Sequence, residues 1–428
     1  MNKLSRRAVL GSAAALGLAA RAGAATPIRI GCISALTGAQ EALGRPILTG
    51  AMIAAEQINE RGGLLGRPIE IVPADAHADP ATAVEWVKTL ATQGVNLLCG
   101  CVTSDLALAV AAQVQPSNAV MVTCSAQTPK LTHEAFVPNM FRVTDHTYMR
   151  NRAQARLVTQ RHPGVTHWVA ILPDAEYGRA AWAAFHEGLM EAAAAAGIAP
   201  PALAPPVLAR FGETDFRTQV AALKALHVPG QSTGLFIAVY GDDGIAFYRE
   251  ADRTGLLAQS KVLADPINEF LVSQTLGYDT PANLWLAMSW YYGGYQSLPM
   301  GFQLYEDQLR RTGNGMPLGF LNAGHSAVYA YAAAIAKARS TDTAAIIPAL
   351  AGLRFDTAKG PVTFRKEDHQ AICDLNFIRM KSSTAAIGMD IGDGHRADIE
   401  VAEFVRLDGA SMIEPPTPGQ ALAYRFPL

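Results

Sequence analysis

The chain has 428 residues, which is too long for one ordinary hydrophobic core, so we expect two domains. Half of the residues are apolar and 17% are charged, which is ordinary for a globular protein. The net charge of -2 gives no reason to expect a nucleic acid or an anionic membrane as a partner.

The first 25 residues are typical of an export signal rather than of a folded domain. Arg6 and Arg7 belong to a basic start, residues 8–20 form an apolar stretch of signal-peptide length, and small residues at 22–24 suit cleavage. The adjacent arginines resemble a twin-arginine signal, which carries already folded proteins across a bacterial inner membrane. We therefore expect a mature protein in the periplasm, with the signal removed.

After the signal, short apolar runs alternate with longer helical patterns. The predicted strands of the first unit are 28–34, 68–75, 95–101 and 119–125, with helices at 48–63 and 79–94 among them. The rhythm restarts near Thr144, with strands at 166–173, 233–240, 261–265 and 282–293. This alternation predicts parallel sheets with helices on both faces. A third section, 296–428, opens with two helical stretches.

Polar residues follow several predicted strands at the point where each strand ends. In open α/β sheets, ligands bind outside the carboxyl ends of the strands, so these residues are candidates for a site. The candidates are Thr103, Ser104, Cys124, Ser125, Ala126, Tyr240 and Asp265.

Thr103 and Ser104 stand between an apolar strand and a helix, and three interpretations are open for them. They are a nucleophile with its helpers, a cradle for a small polar molecule, or a plain helix cap. Free backbone N–H groups and partial positive charge at a helix amino terminus favour a carboxylate. A carboxylate such as Asp265 would suit an ammonium or amide group, although it is equally read as a turn acid before Pro266. Both features together describe an amino-acid-like solute.

Familiar catalytic motifs are missing from the sequence. It has no G-x-S-x-G elbow, phosphate-binding G-x-x-x-x-G-K-[ST], H-E-x-x-H or helix-opening G-x-G-x-x-G, and its ten histidines show no ligand spacing. A nucleophile at Ser104 or Ser125 would need a base that the sequence cannot place. We therefore expect no catalytic residues, no cofactor and no metal.

Five cysteines in an exported protein leave at least one unpaired. Cys32, Cys99, Cys101 and Cys124 lie in or beside apolar strand-like runs, so we expect most of them to be small buried side chains. A bridge between neighbouring strands, such as Cys99 with Cys124, is the alternative.

Several stretches carry a family resemblance that extends, in order, over most of the mature chain. The chain resembles the type I periplasmic solute-binding proteins of ABC importers, in the group that binds leucine, isoleucine and valine, amides or urea. The matching stretches are residues 33–84, "VTCSAQTPKLT" (122–132), "FRVTDH" (141–146), "DAEYGRAAW" (174–182), "FGETDF" (211–216) and "GPVTFRKEDHQA" (360–371).

The resemblance implies two Rossmann-like lobes joined by three crossovers, with a solute cleft between lobes that close over it. The crossovers would fall near 144–147, 291–296 and 361–367. Lobe 1 would then comprise 26–145 plus 296–362, and lobe 2 would comprise 146–291 plus 367–428. Binding and closure become one event, because each lobe supplies part of the coordination of the ligand.

The resemblance also implies a role for each candidate. Thr103 or Ser104 would hold the carboxylate of the ligand, and the segment Cys124, Ser125 and Ala126 would add main-chain and hydroxyl contacts. Tyr177 would close from the second lobe, Tyr240 and Asp265 would contact the amino side, and Leu43 would touch the side chain. Tyr291, with its aromatic neighbours, would line a larger site or simply pack between the lobes.

We therefore expect the binding component of an ABC importer that captures an amino acid or a related small carboxylate or amide. Its partners would be that solute and a membrane permease with its ATPase, with no nucleic acid, and the protein would be a monomer. The alternatives are an extracytoplasmic sensor for a membrane receptor and an amide hydrolase.

Overall fold

The computed structural model describes residues 25–228, 230–382, 389–390, 396–397 and 399–426. The predicted export signal, apart from its last residue, lies outside these ranges. Within them, the chain forms two α/β lobes, each built around its own sheet. This arrangement confirms the predicted fold class.

The first lobe begins with alternating strands and helices. They are β1 (Ile28–Ser34), α1 (Glu41–Glu60), β2 (Ile69–Asp75), α2 (Pro80–Thr92), β3 (Leu97–Gly100), α3 (Ser104–Val114), β4 (Val120–Thr123) and β5 (Met140–Arg142). The strands form one parallel sheet in the order β2-β1-β3-β4-β5. Asp79 caps α2 by accepting a hydrogen bond of 2.8 Å from the backbone N–H of Thr82.

A sharp turn connects β3 to α3. Gly100 has a φ of +120°, and a Cβ atom there would lie 2.0 Å from the carbonyl oxygen of Ile33, so only glycine fits. Cys101 follows with a φ of +60°. Because of this turn, α3 starts directly beyond the carboxyl end of the sheet, with Thr103 and Ser104 at its first positions.

The second lobe takes the next part of the chain. Its elements are α4 (Thr147–Arg161), β6 (His167–Pro173), α5 (Glu176–Ala196), β7 (Ala202–Leu203), β8 (Val207–Ala209), α6 (Arg217–Leu226), β9 (Thr233–Ile237), α7 (Gly241–Arg253), α8 (Leu256–Gln259), β10 (Val262–Asp265), α9 (Leu271–Leu276) and β11 (Leu284–Met288).

The chain then returns to the first lobe. The returning elements are α10 (Pro299–Thr312), α11 (Phe320–Ala338), α12 (Thr343–Leu350), β12 (Arg354–Thr357), β13 (Gly360–Phe364) and β14 (Ala371–Ile372). α11 lies closely against α1. A Cβ at Gly50 would stand 1.8 Å from the carbonyl oxygen of Leu321, and one at Gly324 would stand 1.9 Å from that of Ile47. The two glycines therefore permit the close approach of the helices.

The last strands complete the second lobe. They are β15 (Leu375–Ser382), β16 (Met389–Asp390), β17 (Arg396–Ala397) and β18 (Ile399–Leu407). The sheet of this lobe has the order β18-β15-β11-β10-β9-β6-β7, and β8 also pairs with β6. β15 and β18 are antiparallel additions to a parallel sheet, and β16 pairs with β17. No helix in the described ranges is both long and apolar enough to cross a membrane.

Three connections join the lobes, at 143–146, 289–298 and 373–374. The third one differs from the predicted 361–367. Those residues include most of β13, which pairs with β12 and β14 beside the first lobe. Gln370 forms a bridge with Arg142, the last residue of β5. The chain therefore enters the sheet of the second lobe only after Ile372, so residues 367–372 belong with the first lobe rather than the second.

Candidate ligand-binding site

The strand ends of the two lobes face each other across a small cavity of about 10 Å³. The first lobe contributes Leu43, Val102, Thr103, Ser104, Ser125 and Gln127, and the second lobe contributes Tyr177, Tyr240 and Ile267. All nine side chains are buried. A cavity of this size holds about one water molecule, so the lobes are closed tightly at this point and have to separate before a solute can enter.

The hydroxyls of the first lobe have structural partners as well as a place in the cavity wall. Thr103 caps α3, because its Oγ1 accepts a hydrogen bond of 3.3 Å from the backbone N–H of Leu106. The Oγ of Ser104 accepts one of 3.2 Å from the backbone N–H of Thr128. A hydroxyl that accepts in this way still has its own proton to donate, so both groups can donate to a solute.

The wall from the second lobe is aromatic. Tyr177 lies in the first turn of α5 and Tyr240 immediately precedes α7, and their rings meet edge to face with centroids 5.3 Å apart. The hydroxyl of Tyr177 is buried and has no hydrogen-bond partner among the described residues. Burial, reinforced by the negative charge of Asp265, raises the pKa of Tyr177 well above its ordinary value. The phenol therefore keeps its proton and is a hydrogen-bond donor on a residue that lines the cavity.

Six of the ten predicted site residues meet at this cavity, namely Leu43, Thr103, Ser104, Ser125, Tyr177 and Tyr240. Three further lining residues were not predicted. Gln127 follows the predicted 124–126 segment directly, and its buried Oε1 has no partner among the described residues. Val102 and Ile267 are apolar, so nothing in their chemistry distinguished them from core residues.

Asp265 does not line the cavity, contrary to the expectation that it contacts an amino group. Its Oδ1 accepts hydrogen bonds from the backbone N–H groups of Ile267 and Asn268, both at 2.8 Å. Its Oδ2 accepts from the Tyr248 hydroxyl and from Nδ2 of Asn268, again at 2.8 Å. Four donors occupy the carboxylate, so it serves the turn after β10, as the alternative interpretation had it.

Cys124, Ala126 and Tyr291 also lie outside the cavity lining. The thiol of Cys124 is buried in the core of the first lobe, 3.6 Å from the carbonyl oxygen of Val122. Ala126 is fully buried, and its carbonyl oxygen accepts a hydrogen bond of 3.2 Å from Arg142. Tyr291 packs against the rings of Phe270, Tyr292 and Phe404, so it has the packing role that was the alternative.

All five cysteines are unpaired and buried, including Cys99 and Cys124, so the structure contains no bridge between them. Burial raises the pKa of Cys101 well above its ordinary value, which keeps the thiol protonated. Within the described ranges, no group of three or more histidine, cysteine, aspartate or glutamate side chains is arranged to hold a metal ion.

Contacts around the cavity hold the lobes together. The backbone N–H of Asp242 in the second lobe donates a hydrogen bond of 3.2 Å to the carbonyl oxygen of Ala39 in the first. At the opposite rim, Nζ of Lys130 lies 3.0 Å from a carboxylate oxygen of Glu176. These contacts and the burial of the lining residues define a closed arrangement of the lobes.

Comparison with known proteins gives one family and a consistent set of relatives. The family model described as "periplasmic binding protein" matches residues 27–385. The Leu/Ile/Val-binding protein BraC3 of Rhizobium johnstonii is 28% identical over 199 residues, which are 46% of this chain and 52% of that protein. The Leu/Ile/Val-binding protein homolog 3 of Brucella melitensis is 34% identical over 130 residues, which are 30% of this chain and 34% of that protein. The chain thus matches about a third to a half of the length of these relatives.

Solved structures share the fold over nearly the whole chain. An amino acid ABC transporter substrate-binding protein from Pseudomonas fluorescens has a TM-score of 0.74 at 23% identity, covering 93% of this chain and 100% of its own. A branched-chain amino acid transporter substrate binding protein from Streptococcus pneumoniae, solved with isoleucine, has a TM-score of 0.73 at 19% identity. The match covers 89% of this chain and 100% of that protein. A solute binding protein from R. palustris, solved with benzoate, has a TM-score of 0.73 at 16% identity. The match covers 92% of this chain and 100% of that protein. The shared fold therefore accommodates ligands of different chemistry.

Proposed function

Because the chain belongs to the periplasmic binding protein family, we propose that it is the solute-binding component of an ABC importer, acting in the periplasm. Its solute is an amino acid or a related small carboxylate or amide, captured between two closing lobes. A membrane permease and its ATPase would then distinguish the loaded from the unloaded protein by shape.

The observation that carries this proposal is the cavity between the lobes. Residues with hydroxyl groups at the strand ends of the first lobe and a tyrosine of the second line the same cavity, and the tyrosine hydroxyl has no partner among the described residues. A solute bound there bridges both lobes, so it favours the closed arrangement by the difference between its affinities for the closed and open states. The names of the curated relatives, which are Leu/Ile/Val-binding proteins, agree with a small solute carrying a carboxylate.

The family consists of solute-binding proteins rather than enzymes. An amide hydrolase would need a base beside Ser104 or Ser125, yet the described residues that line the cavity include no histidine, lysine or acid. The lining offers hydrogen-bond donors and apolar surface, which suffice for binding.

A binding screen combined with solution scattering tests the proposal. The mature protein is heated with single amino acids, their deaminated acids, small amides, urea and aromatic acids. A ligand at a hundred times its dissociation constant stabilises the protein by about 2.7 kcal/mol and raises the thermal midpoint. We expect such a ligand to stabilise the closed lobes and reduce the radius of gyration. A ligand that binds tightly without any change in scattering, or a panel without a single binder, would refute solute capture by lobe closure.

A further inference from the structure

We propose that the solute is a small monocarboxylate with an apolar body and no ammonium group. This inference rests on the proposed function, because it concerns the same cavity, and it narrows the solute from amino acids and their relatives to acids without an amino group. The argument depends on the charge and hydrogen-bonding character of the groups that surround the cavity.

Helix amino termini converge on the cavity from both lobes. Ser104 is the first residue of α3, Tyr177 is the second residue of α5, and Tyr240 immediately precedes α7. Leu43 lies in the first turn of α1. Each helix amino terminus carries partial positive charge and backbone N–H groups without intrahelical partners. Their convergence favours an anion in the cavity and opposes a cation.

A second, independent feature indicates a bound acceptor. The hydroxyl of Tyr177, a residue only 4% exposed, lines the cavity without a protein partner among the described residues. A buried donor without an acceptor costs stability, so the position is explained by a ligand atom that accepts its hydrogen bond. Together, the Tyr177 hydroxyl, the Ser104 hydroxyl and the first N–H groups of α3 can donate hydrogen bonds to a carboxylate. Such a carboxylate needs no neighbouring cation.

No comparable arrangement exists for an ammonium group. The nine described residues that line the cavity include no acid. Asp265 is the carboxylate that the family resemblance assigned to the amino side of the ligand. Its four hydrogen bonds leave no acceptor position for a further donor. The unpartnered Oε1 of Gln127 offers one hydrogen bond, whereas an ammonium group has three donors. Burying an amino acid here would leave part of a charged group unpaired.

The helices do carry acidic residues in their first turns, which oppose the positive end of each helix. They are Glu41, Asp105, Glu176, Asp242 and Asp243. None of them lines the cavity. Glu41 contacts Arg45, Glu176 contacts Lys130, and the carboxylate of Asp243 accepts a hydrogen bond from the backbone N–H of Gly212. Asp105 and Asp242 are exposed to solvent. The acids of these first turns are therefore paired elsewhere or solvated rather than part of the cavity wall.

Apolar groups form the remaining wall. Leu43, Val102 and Ile267 surround the polar end together with the ring of Tyr240. Apolar walls favour an apolar body, because its burial releases it from water without leaving polar groups unpaired.

Matched pairs that differ only in the amino group test the inference. Isothermal titration of the mature protein compares 4-methylpentanoate with leucine, and 3-phenylpropanoate with phenylalanine. Of the two acids, the one with the higher affinity should bind at least a hundredfold more tightly than the amino acid of the same pair. An amino acid that binds as tightly as its acid would overturn the inference while leaving solute capture intact. A complete panel without any binder would overturn both.

An isosteric charge change gives an independent test. Gln127→Glu places an acid in the cavity wall, so we expect the acids to bind at least tenfold more weakly and the preference over the amino acids to shrink. Gln259→Glu, at the exposed end of α8, is the matched control and should change neither affinity. An unchanged preference in Gln127→Glu, in a protein whose thermal midpoint without ligand equals that of the wild type, would contradict the inference.

Discussion

The side chains of His133 and Glu414 share a hydrogen bond of 3.1 Å, although the residues lie 281 positions apart. His133 belongs to the first lobe. Glu414 belongs to the C-terminal segment, which also contacts α4 and α5 of the second lobe through Met412 and Arg425. The same oxygen of Glu414 lies 3.0 Å from Nε2 of His146, in the first connection between the lobes. One buried carboxylate therefore ties the C-terminal segment to the first lobe and to the first connection between the lobes.

Glu414→Ala should lower the free energy of unfolding by about 3 kcal/mol, because two buried histidine N–H groups lose their acceptor. Glu85→Ala, at an exposed position of α2, is the control and should change stability by less than about 0.5 kcal/mol. Urea unfolding at pH 7 measures both. Equal stability of the two variants would show that the Glu414 contacts contribute nothing.

The stability difference between the wild type and Glu414→Ala should also depend on pH in the acid range. Burial alone would raise the pKa of Glu414, but the charge of His146 and the hydrogen bonds from His133 and His146 outweigh it and hold the pKa well below the ordinary value. The stabilisation is therefore present above about pH 4.5 and is lost as the pH falls further. The difference between the wild type and Glu414→Ala should shrink in that range.

Glu269 should produce the opposite pH dependence. Its carboxylate is buried between the lobes, where it accepts hydrogen bonds from the backbone N–H groups of Ser289, at 2.7 Å, and Gly319. Burial raises its pKa to about 7. Since the folded protein holds this proton more tightly than the unfolded chain, its contribution to stability is greatest below pH 4.5, falls by roughly 3 kcal/mol as the pH rises from 4.5 to 7, and changes little above that. Glu269→Gln lacks this titration.

Unfolding of the wild type and Glu269→Gln at pH 5 and pH 8 measures the effect. The stability difference between the two proteins should move in favour of the glutamine variant at the higher pH. A difference that stays constant between these pH values would mean that Glu269 is already ionised at pH 5 in the folded protein.

Tyr177→Phe and Ser104→Ala should each weaken solute binding at least tenfold, or about 1.4 kcal/mol, because each removes a donor that faces the cavity. Tyr305→Phe removes a tyrosine hydroxyl bonded to the carbonyl oxygen of Gly315, away from the cavity, and should bind normally. Titration with the best ligand of the screen measures all three variants. Normal affinity in both cavity variants would mean that the solute binds elsewhere.

Asp265→Asn should destabilise the protein but leave solute affinity within about twofold. The carboxylate oxygen that accepts from Tyr248 and Asn268 becomes an NH₂ group, which opposes two donors, and each buried mismatch costs about 1–3 kcal/mol. The thermal midpoint without ligand and the dissociation constant separate the two effects. A loss of affinity of tenfold or more, with normal stability, would restore Asp265 as a ligand contact.

Thiol titration tests the burial of the cysteines. We expect none of the five to react with Ellman's reagent in the native protein within minutes, and all five to react in guanidinium chloride, because every one is buried and unpaired. Fewer than five reactive thiols after denaturation without reductant would reveal a disulfide in the isolated protein.

Local patterns in the sequence predicted much of the architecture. The alternation of apolar runs and helical segments identified both α/β units, and the cap at Asp79 marked the start of α2. Less regular segments were harder to place. α1 begins at Glu41, whereas the predicted helix began near residue 48, because Gly44 and Pro46 in the first two turns are unfavourable to a helix and hid its start. The third connection was placed too early, because a strand sequence such as β13 does not reveal which lobe it pairs with.

The sequence by itself determined that strands and helices alternate, and therefore that Thr103, Ser104, Tyr177 and Tyr240 stand near the tips of secondary structure. Caps, turns and apolar periodicity act between residues a few positions apart, so they can be read along the chain. Only the tertiary structure decided that Gln127 lines the cavity and that Asn268 and Tyr248 donate hydrogen bonds to Asp265. It also decided that Glu414 forms a hydrogen bond with His133. Those relationships depend on how distant segments pack, and packing selects the partner of a polar group only after the lobes have formed.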